Sequence, residues 1–271
     1  MEFTYSREQQ MVKKMLKEFA ETEIAPISEE IDEKAEYPYE TVAKLGELGV
    51  MGMPFPQEYG GAGTDYLTYI MAVEELSKVD ASHGVIVQTH NALCCWPIFT
   101  YGTEEQKRKY LPDLLSGKKL GAFGLTEPNA GTDAAMQQTT AKDMGDHWLL
   151  NGTKIFISGG GIADVYVIMA MTDKSKGNKG ISSFIVEKGT PGFSRGKKEN
   201  KMGIRGSIAA ELVFEDCKIP KENLLGQEGK GFKTAMSSLD VGRLGIAAQA
   251  LGIAQGAFDQ TVEYMKQRKQ F

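Results

Sequence analysis

GAFGLTEPNAGTDAA, residues 121–135, is the stretch on which the organisation of this chain turns. It opens as an apolar strand, delivers a Thr126-Glu127-Pro128 turn, and passes into small residues and a Thr132-Asp133 pair. Before it, apolar residues recur at helical spacing; after it, they recur as short strands. Upstream, Ser6 and Gln9 make a capping-box pattern ahead of Met11, Val12, Met15, Leu16 and Phe19. Gly49 closes a second helix, Leu67, Ile70, Val73 and Leu76 give one face of a third, and Thr103 with Gln106 caps another. GMPFPQEYGGAGTD, residues 52–65, is a Gly/Pro loop between them.

Downstream, HWLLNGTKIFIS (147–158) carries Asn151-Gly152 between two apolar runs, which predicts a hairpin turn there. VYVIMAMT (165–172), ISSFIVEK (181–188) and AAELVFEDCKI (209–219) are further strands, and together they predict a small barrel or sandwich. A long helix follows Gly229. Gly242, Gly245, Gly252 and Gly256 fall within about 80° on its wheel. Each glycine costs roughly 1 kcal/mol of helix propensity, so a close approach on that face must compensate. Leu244, Leu251, Phe258 and Met265 form an apolar stripe on another side, which predicts a helix buried all round inside a bundle. The pattern runs on to Phe271 without a cap, so a longer helical block is expected. The sum is an α+β arrangement: an all-α segment over 1–118, a β segment over 119–226, and the first helix of a second helical block over 227–271.

The 31 basic and 36 acidic residues give a net charge of −5, spread along the chain without a basic stripe, which argues against nucleic acid or an anionic membrane as partner. No apolar run is long enough for a membrane span, and MEFTYSREQQMVKK has neither the apolar core of a signal peptide nor the composition of a transit peptide. A reducing cytoplasm is the expected compartment. Three cysteines, two of them adjacent at 94 and 95, make no disulfide framework and no metal set. His83, His90 and His147 read as surface or satisfied core residues, and no metal site is expected. Neither GxGxxG after a strand nor GxxxxGK[ST] occurs. Residues 130–132 after a strand end would expose several backbone N–H groups, an anion-binding nest, though the same residues make ordinary turns.

GLTEPNAGTD (124–133), KIFIS (154–158) and GKGFKTAM (229–236) together resemble the acyl-CoA dehydrogenase family, its bacterial short-chain branch above all. EYGGAGTDYLTYIMAVEELSKVD, ELVFEDCKIPKENLLG and RKQF match the family pattern in order, so the likeness runs from the first helix to Phe271. It implies FAD held between the β segment and the helices. Phe123, Leu125 and Thr126 would meet the ring edge, with Gly131 and Thr132 at the pyrophosphate and pantetheine side. Phe156, Ile157 and Ser158 would cover the other side of the ring, Phe156 standing where many relatives have tryptophan. Asp240 and Arg243, with Thr132, would line the acyl-CoA site. Arg268 and Gln270 would reach the flavin of a neighbouring subunit, which implies a homo-oligomer, a tetramer.

The implied reaction is α,β-dehydrogenation of a short-chain acyl-CoA such as butyryl-CoA, or its reverse, with electrons exchanged with an electron-transferring flavoprotein. It needs a carboxylate base of raised pKa and a polarised thioester carbonyl. In one branch of the family the base precedes the long helix's arginine; here that position is Gly242, and no catalytic base is assigned. The 271 residues alone are accordingly expected to be inactive. An acyl-CoA oxidase and a non-catalytic flavin- or CoA-binding subunit are the alternatives.

Overall fold

The structure, a computed structural model, describes residues 4–271. Its first layer is helical: α1 (Arg7–Phe19), α2 (Ser28–Lys34), α3 (Tyr39–Glu47), α4 (Tyr66–Val79), α5 (Ala81–Thr89), α6 (Trp96–Tyr101) and α7 (Glu104–Leu115). Both predicted capping boxes form. Ser6 Oγ accepts from Gln9 N at 3.1 Å while Gln9 Oε1 accepts from Ser6 N at 2.9 Å. The same Gln9 donates to Asp65 at 3.2 Å, and Asp65 caps α4 by accepting from Thr68 N at 2.7 Å, so two helix starts share one carboxylate. Leu16, Ala20 and Ile24 then pack on Tyr69, Val73 and Leu76 of α4, whereas Met11 faces out, 65% exposed. Gly49 sits at φ 75°, the left-handed conformation that ends α3.

The strands are β1 (Gly121–Gly124), β2 (Thr140–Asp143), β3 (His147–Ser158), β4 (Val165–Met171), β5 (Ile181–Glu187), β6 (Phe193–Lys198), β7 (Ala209–Pro220) and β8 (Leu224–Leu225). They form one eight-stranded sheet in the order β6-β7-β3-β2-β4-β5-β8, with β1 joining in parallel on β4. β4 is buried along its whole length and reads as a continuous apolar run for that reason.

The hairpin expected at Asn151-Gly152 does not form: β3 runs straight through both residues. Gly152 instead marks a register shift against β7, at φ 144°, with Thr139 packed where a Cβ would stand. Asn151 spends its amide across the strands, accepting from Asp216 N at 2.8 Å and donating to the Asp216 carboxylate at 3.2 Å. The real β2–β3 turn is 144–146, with Gly145 at φ 95°.

The last element, α8 (Gly231–Gln267), lays its glycine face on α4 and α5. An added Cβ at Gly252 would lie 2.4 Å from Glu74 O, and one at Gly256 2.1 Å from Lys78 O, so backbone meets backbone. Gln249 donates to Ala81 O at 2.9 Å, and the Tyr66 hydroxyl to Val241 O at 3.1 Å. On its other side, the burial expected inside a longer helical block is not supplied by the residues described. Leu244, Leu251, Phe258 and Met265 are 55–69% exposed, and the glycine face seats the helix without them.

His90, in a single π-helical turn (His90–Cys95), joins the two layers. Its Nε2 donates to Leu114 O at 3.0 Å, and its Nδ1 accepts from Gly121 N at 3.1 Å. Both ring nitrogens are used, so a second proton has no acceptor, and burial pushes the imidazole down to about 4 despite the Leu114 carbonyl. Unfolded histidine binds a proton from about pH 6.5 downwards, so the unfolded state binds more protons between those values. The stability present above pH 6.5 is therefore lost as pH falls towards 4, by about 2–3 kcal/mol. In His90→Gln, the loss of unfolding free energy between pH 7 and pH 5, measured by urea denaturation, should be smaller than in the parent by most of that amount; equal losses would refute the assignment.

Candidate active site

Past β1 the chain leaves the sheet at Leu125 and Thr126 and is caught by β3: Ile155 N donates to Thr126 O at 2.9 Å. β3 is irregular there, its register against β7 shifting between Lys154 and Ile157. The extra residue forces Phe156 to φ 58°, a left-handed conformation unusual for a bulky side chain. The result is a ring pushed outward, 62% exposed, while Ile157 returns to the core at 3%. Phe123, Leu125, Thr126, Phe156, Ile157 and Ser158 thus belong to two adjoining segments, with Phe123, Leu125 and Ile157 buried and Phe156 exposed.

Beneath them lies a charge pair that sequence reasoning missed. Lys154 Nζ, fully buried, donates to Glu127 Oε1 at 2.7 Å, to Leu125 O at 3.1 Å and to Gln137 Oε1 at 3.1 Å. Glu127 also accepts from Gln138 N at 2.5 Å and Thr139 N at 3.0 Å. Burial opposes the carboxylate, but the Lys154 ammonium and these N–H groups hold it below the usual range. Burial dominates for Lys154 and lowers it to about 8, still charged at neutral pH. Only a lysine inside a strand whose neighbours are apolar signals such a partner in sequence. Glu127 N and Ala130 O, and Ala130 N and Glu127 O, then close the turn at 3.0 and 3.1 Å. Gly131 and Thr132 extend beyond it, exposed, with open space where a Gly131 Cβ would point. Neither the N–H nor the hydroxyl of Thr126 has a hydrogen-bond partner among the described residues.

Other predicted residues lie apart. Asp240 and Arg243 form an ion pair on the open face of α8, 68% and 70% exposed, with no hydrogen bond to residues 123–132. Arg268 and Gln270 follow α8 in extended, exposed chain. A concavity of about 500 Å³ opens at the start of α8, lined by Thr172, Asp173, Lys176, Lys179, Lys230 and Lys233 among others. No side chain caps that helix start. The signal for this pocket was present as two Lys/Gly clusters, KSKGNKG and GKGFK. Cys94 and Cys95 are buried thiols pushed upward by burial, hence inert. No group of three metal-ligating side chains occurs among the described residues, and none of their helices is long and apolar enough to cross a membrane.

Three family descriptions match the chain in order: acyl-CoA dehydrogenase N-terminal domain over residues 6–118, middle domain over 122–217, and C-terminal domain over 229–271. The chain is 60% identical to the short-chain specific acyl-CoA dehydrogenase of Clostridium acetobutylicum, across its whole length and 72% of that protein. Among solved structures it resembles butyryl-CoA dehydrogenase from Megasphaera elsdenii, with TM-score 0.98 and 55% identity over 100% of this chain and 72% of that one. A chain in a structure of the electron transferring flavoprotein of Acidaminococcus fermentans matches equally, with TM-score 0.98, 57% identity, and coverage of 100% and 71%.

Proposed function

The chain belongs to the acyl-CoA dehydrogenase family, and from that premise we propose that it takes part in FAD-dependent α,β-dehydrogenation of short-chain acyl-CoA. The observation that carries this reading is the adjoining pair of segments 123–126 and 155–158, in a chain 60% identical to a short-chain enzyme. The groups on them fit FAD: an N–H and a hydroxyl of Thr126 without protein partners, an outward Phe156 ring, and space at Gly131 for a pyrophosphate. Bound FAD supplies the hydride acceptor; the protein sets position and electrostatics. Thr126 orients the ring edge, Phe156 covers its face and excludes water, and Gly131 and Thr132 receive phosphate and pantetheine. Glu127 is unsuited to take the α-proton, because its carboxyl is held low and already accepts three donors. No residue of this chain is assigned that role.

Coenzyme A also carries phosphates, and we assign these to the lysine-lined concavity. Lys179, Lys230 and Lys233 gather there around the uncapped start of α8, with Glu228 and an Asp173–Lys176 ion pair at 2.8 Å beside them, and the helix N–H groups and dipole favour an anion. Asp240 and Arg243 lie about two and a half and three turns further along the same helix. Lys230→Glu and Lys233→Glu should each weaken CoA binding about tenfold, with a shallower salt dependence. Unchanged affinity in the double variant would remove the concavity from the substrate path. An electron-transferring flavoprotein is the redox partner, a tetramer the working assembly with Arg268 and Gln270 at a neighbour's flavin, and the cytoplasm the compartment. The overall reading is tested by titrating the purified chain with FAD and then butyryl-CoA. One flavin should bind per chain, and acyl-CoA should perturb its visible spectrum. A protein that takes up no FAD, or whose bound flavin ignores butyryl-CoA, would overturn it.

A further inference from the structure

Lys154 touches both segments of the groove, and its bonding is saturated: an ammonium has three protons, and Leu125 O, Glu127 and Gln137 take all three. Packing alone gives no reason for it. A buried ion pair is weak evidence for stability, since apolar residues of like volume often serve as well or better. What an apolar residue could not supply is a cation on the Leu125 carbonyl. That carbonyl shares a peptide group with the Thr126 N–H, which has no partner among the described residues. A peptide whose oxygen binds a cation is polarised, and its N–H becomes a stronger donor. One residue further along β3, Ile155 N holds the next carbonyl, Thr126 O, at 2.9 Å. Two successive carbonyls are thus gripped from β3, which holds the Leu125–Thr126 peptide so that its N–H points in one direction.

We propose that Lys154 is a positioning residue for the flavin, which fixes the Leu125–Thr126 peptide and makes the Thr126 N–H a charge-assisted donor to the edge of the ring. The assignment rests on the reading that residues 123–126 and 156–158 hold FAD. A donor of this kind favours the reduced ring, which carries more negative charge than the oxidised one. The ammonium is replaceable by pH, because burial lowers Lys154 to about 8. Glu127 is the titratable group facing it; its other neighbours are the Leu125 carbonyl, the Gln137 amide and, beside its stem, Gly124.

The test compares affinities for oxidised and reduced FAD in the full chain and in Lys154→Met, at pH 7 and at pH 10. At pH 7 the preference for reduced over oxidised FAD should fall about tenfold in the variant, the size of one charge-assisted hydrogen bond. At pH 10, where the parent has lost the ammonium, the two proteins should agree. An unchanged preference at pH 7, or a difference that persists undiminished at pH 10, would overturn the proposal and leave Lys154 a packing residue. Should Lys154→Met lack a cooperative melt, E127Q/K154M removes both charges together and is read in the same way. Failure of the parent chain to bind FAD in either form would instead overturn the flavin assignment, and this inference with it.

Discussion

Flavin-loaded protein should bind butyryl-CoA at least about a hundredfold more tightly than glutaryl-CoA. By the family resemblance, residues 84–99, in α5, the π-turn and α6, would enclose the acyl tail, and between Asp80 and Glu104 the sequence has no Lys or Arg. The polar groups buried there offer a carboxylate no cation. His90 is neutral with both nitrogens engaged, and His83 is taken by Asp80 and Thr41. Gln88 Oε1 and Asn91 Oδ1 are buried without partners, and both are acceptors. Trp96 Nε1 is an unpartnered donor but carries no charge. A distal carboxylate in this segment would lose its hydration against neutral groups, at a cost of several kcal/mol. Roughly 3 kcal/mol is a hundredfold in affinity. Comparable dissociation constants for the two thioesters would mean that a cation reaches the tail from another element, and the neutral-pocket reading would be abandoned.

Gly256→Leu should cost at least about 3 kcal/mol of stability, lowering the melting temperature by some 6–12 °C for a chain of this size. A Cβ there would stand 2.1 Å from Lys78 O, and backbone cannot swing aside as the tip of a side chain can. α4 cannot retreat either, because Val73 and Leu76 on its far side are wholly buried in the helical core. The control lies two residues on: Phe258→Ser alters a side chain 62% exposed and should change stability by no more than about 0.5 kcal/mol. The pair of melting curves separates two accounts of α8. Equal losses would mean that the apolar stripe, not the glycine face, seats the helix.

The sequence was readable where local chemistry and tertiary need agree. Ser6-Gln9 and Thr103-Gln106 cap helices by bonds that span three residues, and both form as expected. The glycine face of α8 is periodic, costs helix propensity, and so announces a close contact. Asn151-Gly152 misled because its local preference for a turn lost to a non-local one: Asn151 finds its partner 65 residues away in Asp216. Lys154 and Glu127, 27 apart, pair by the same kind of long-range choice, which no window of sequence reports. Phe156 is subtler. Its place beside the groove came from resemblance, whereas its left-handed backbone follows from a bulge that only strand pairing creates.

The seating of α8 also sets an order of events. Its anchoring bonds, from Gln88 to Gly242, Gln249 to Ala81 and Tyr66 to Val241, join residues 154 to 175 positions apart. Closing loops of that length is entropically costly and brings no reward until the receiving surface exists. That surface is α4 and α5, which a ribosome releases long before Gly231. The receiving surface is therefore built before α8 emerges, and α8 docks as a late step onto a formed template. Lesions on its glycine face should accordingly leave the folding rate of the rest almost untouched and act by hastening escape, so that what they shorten is the lifetime of the native state.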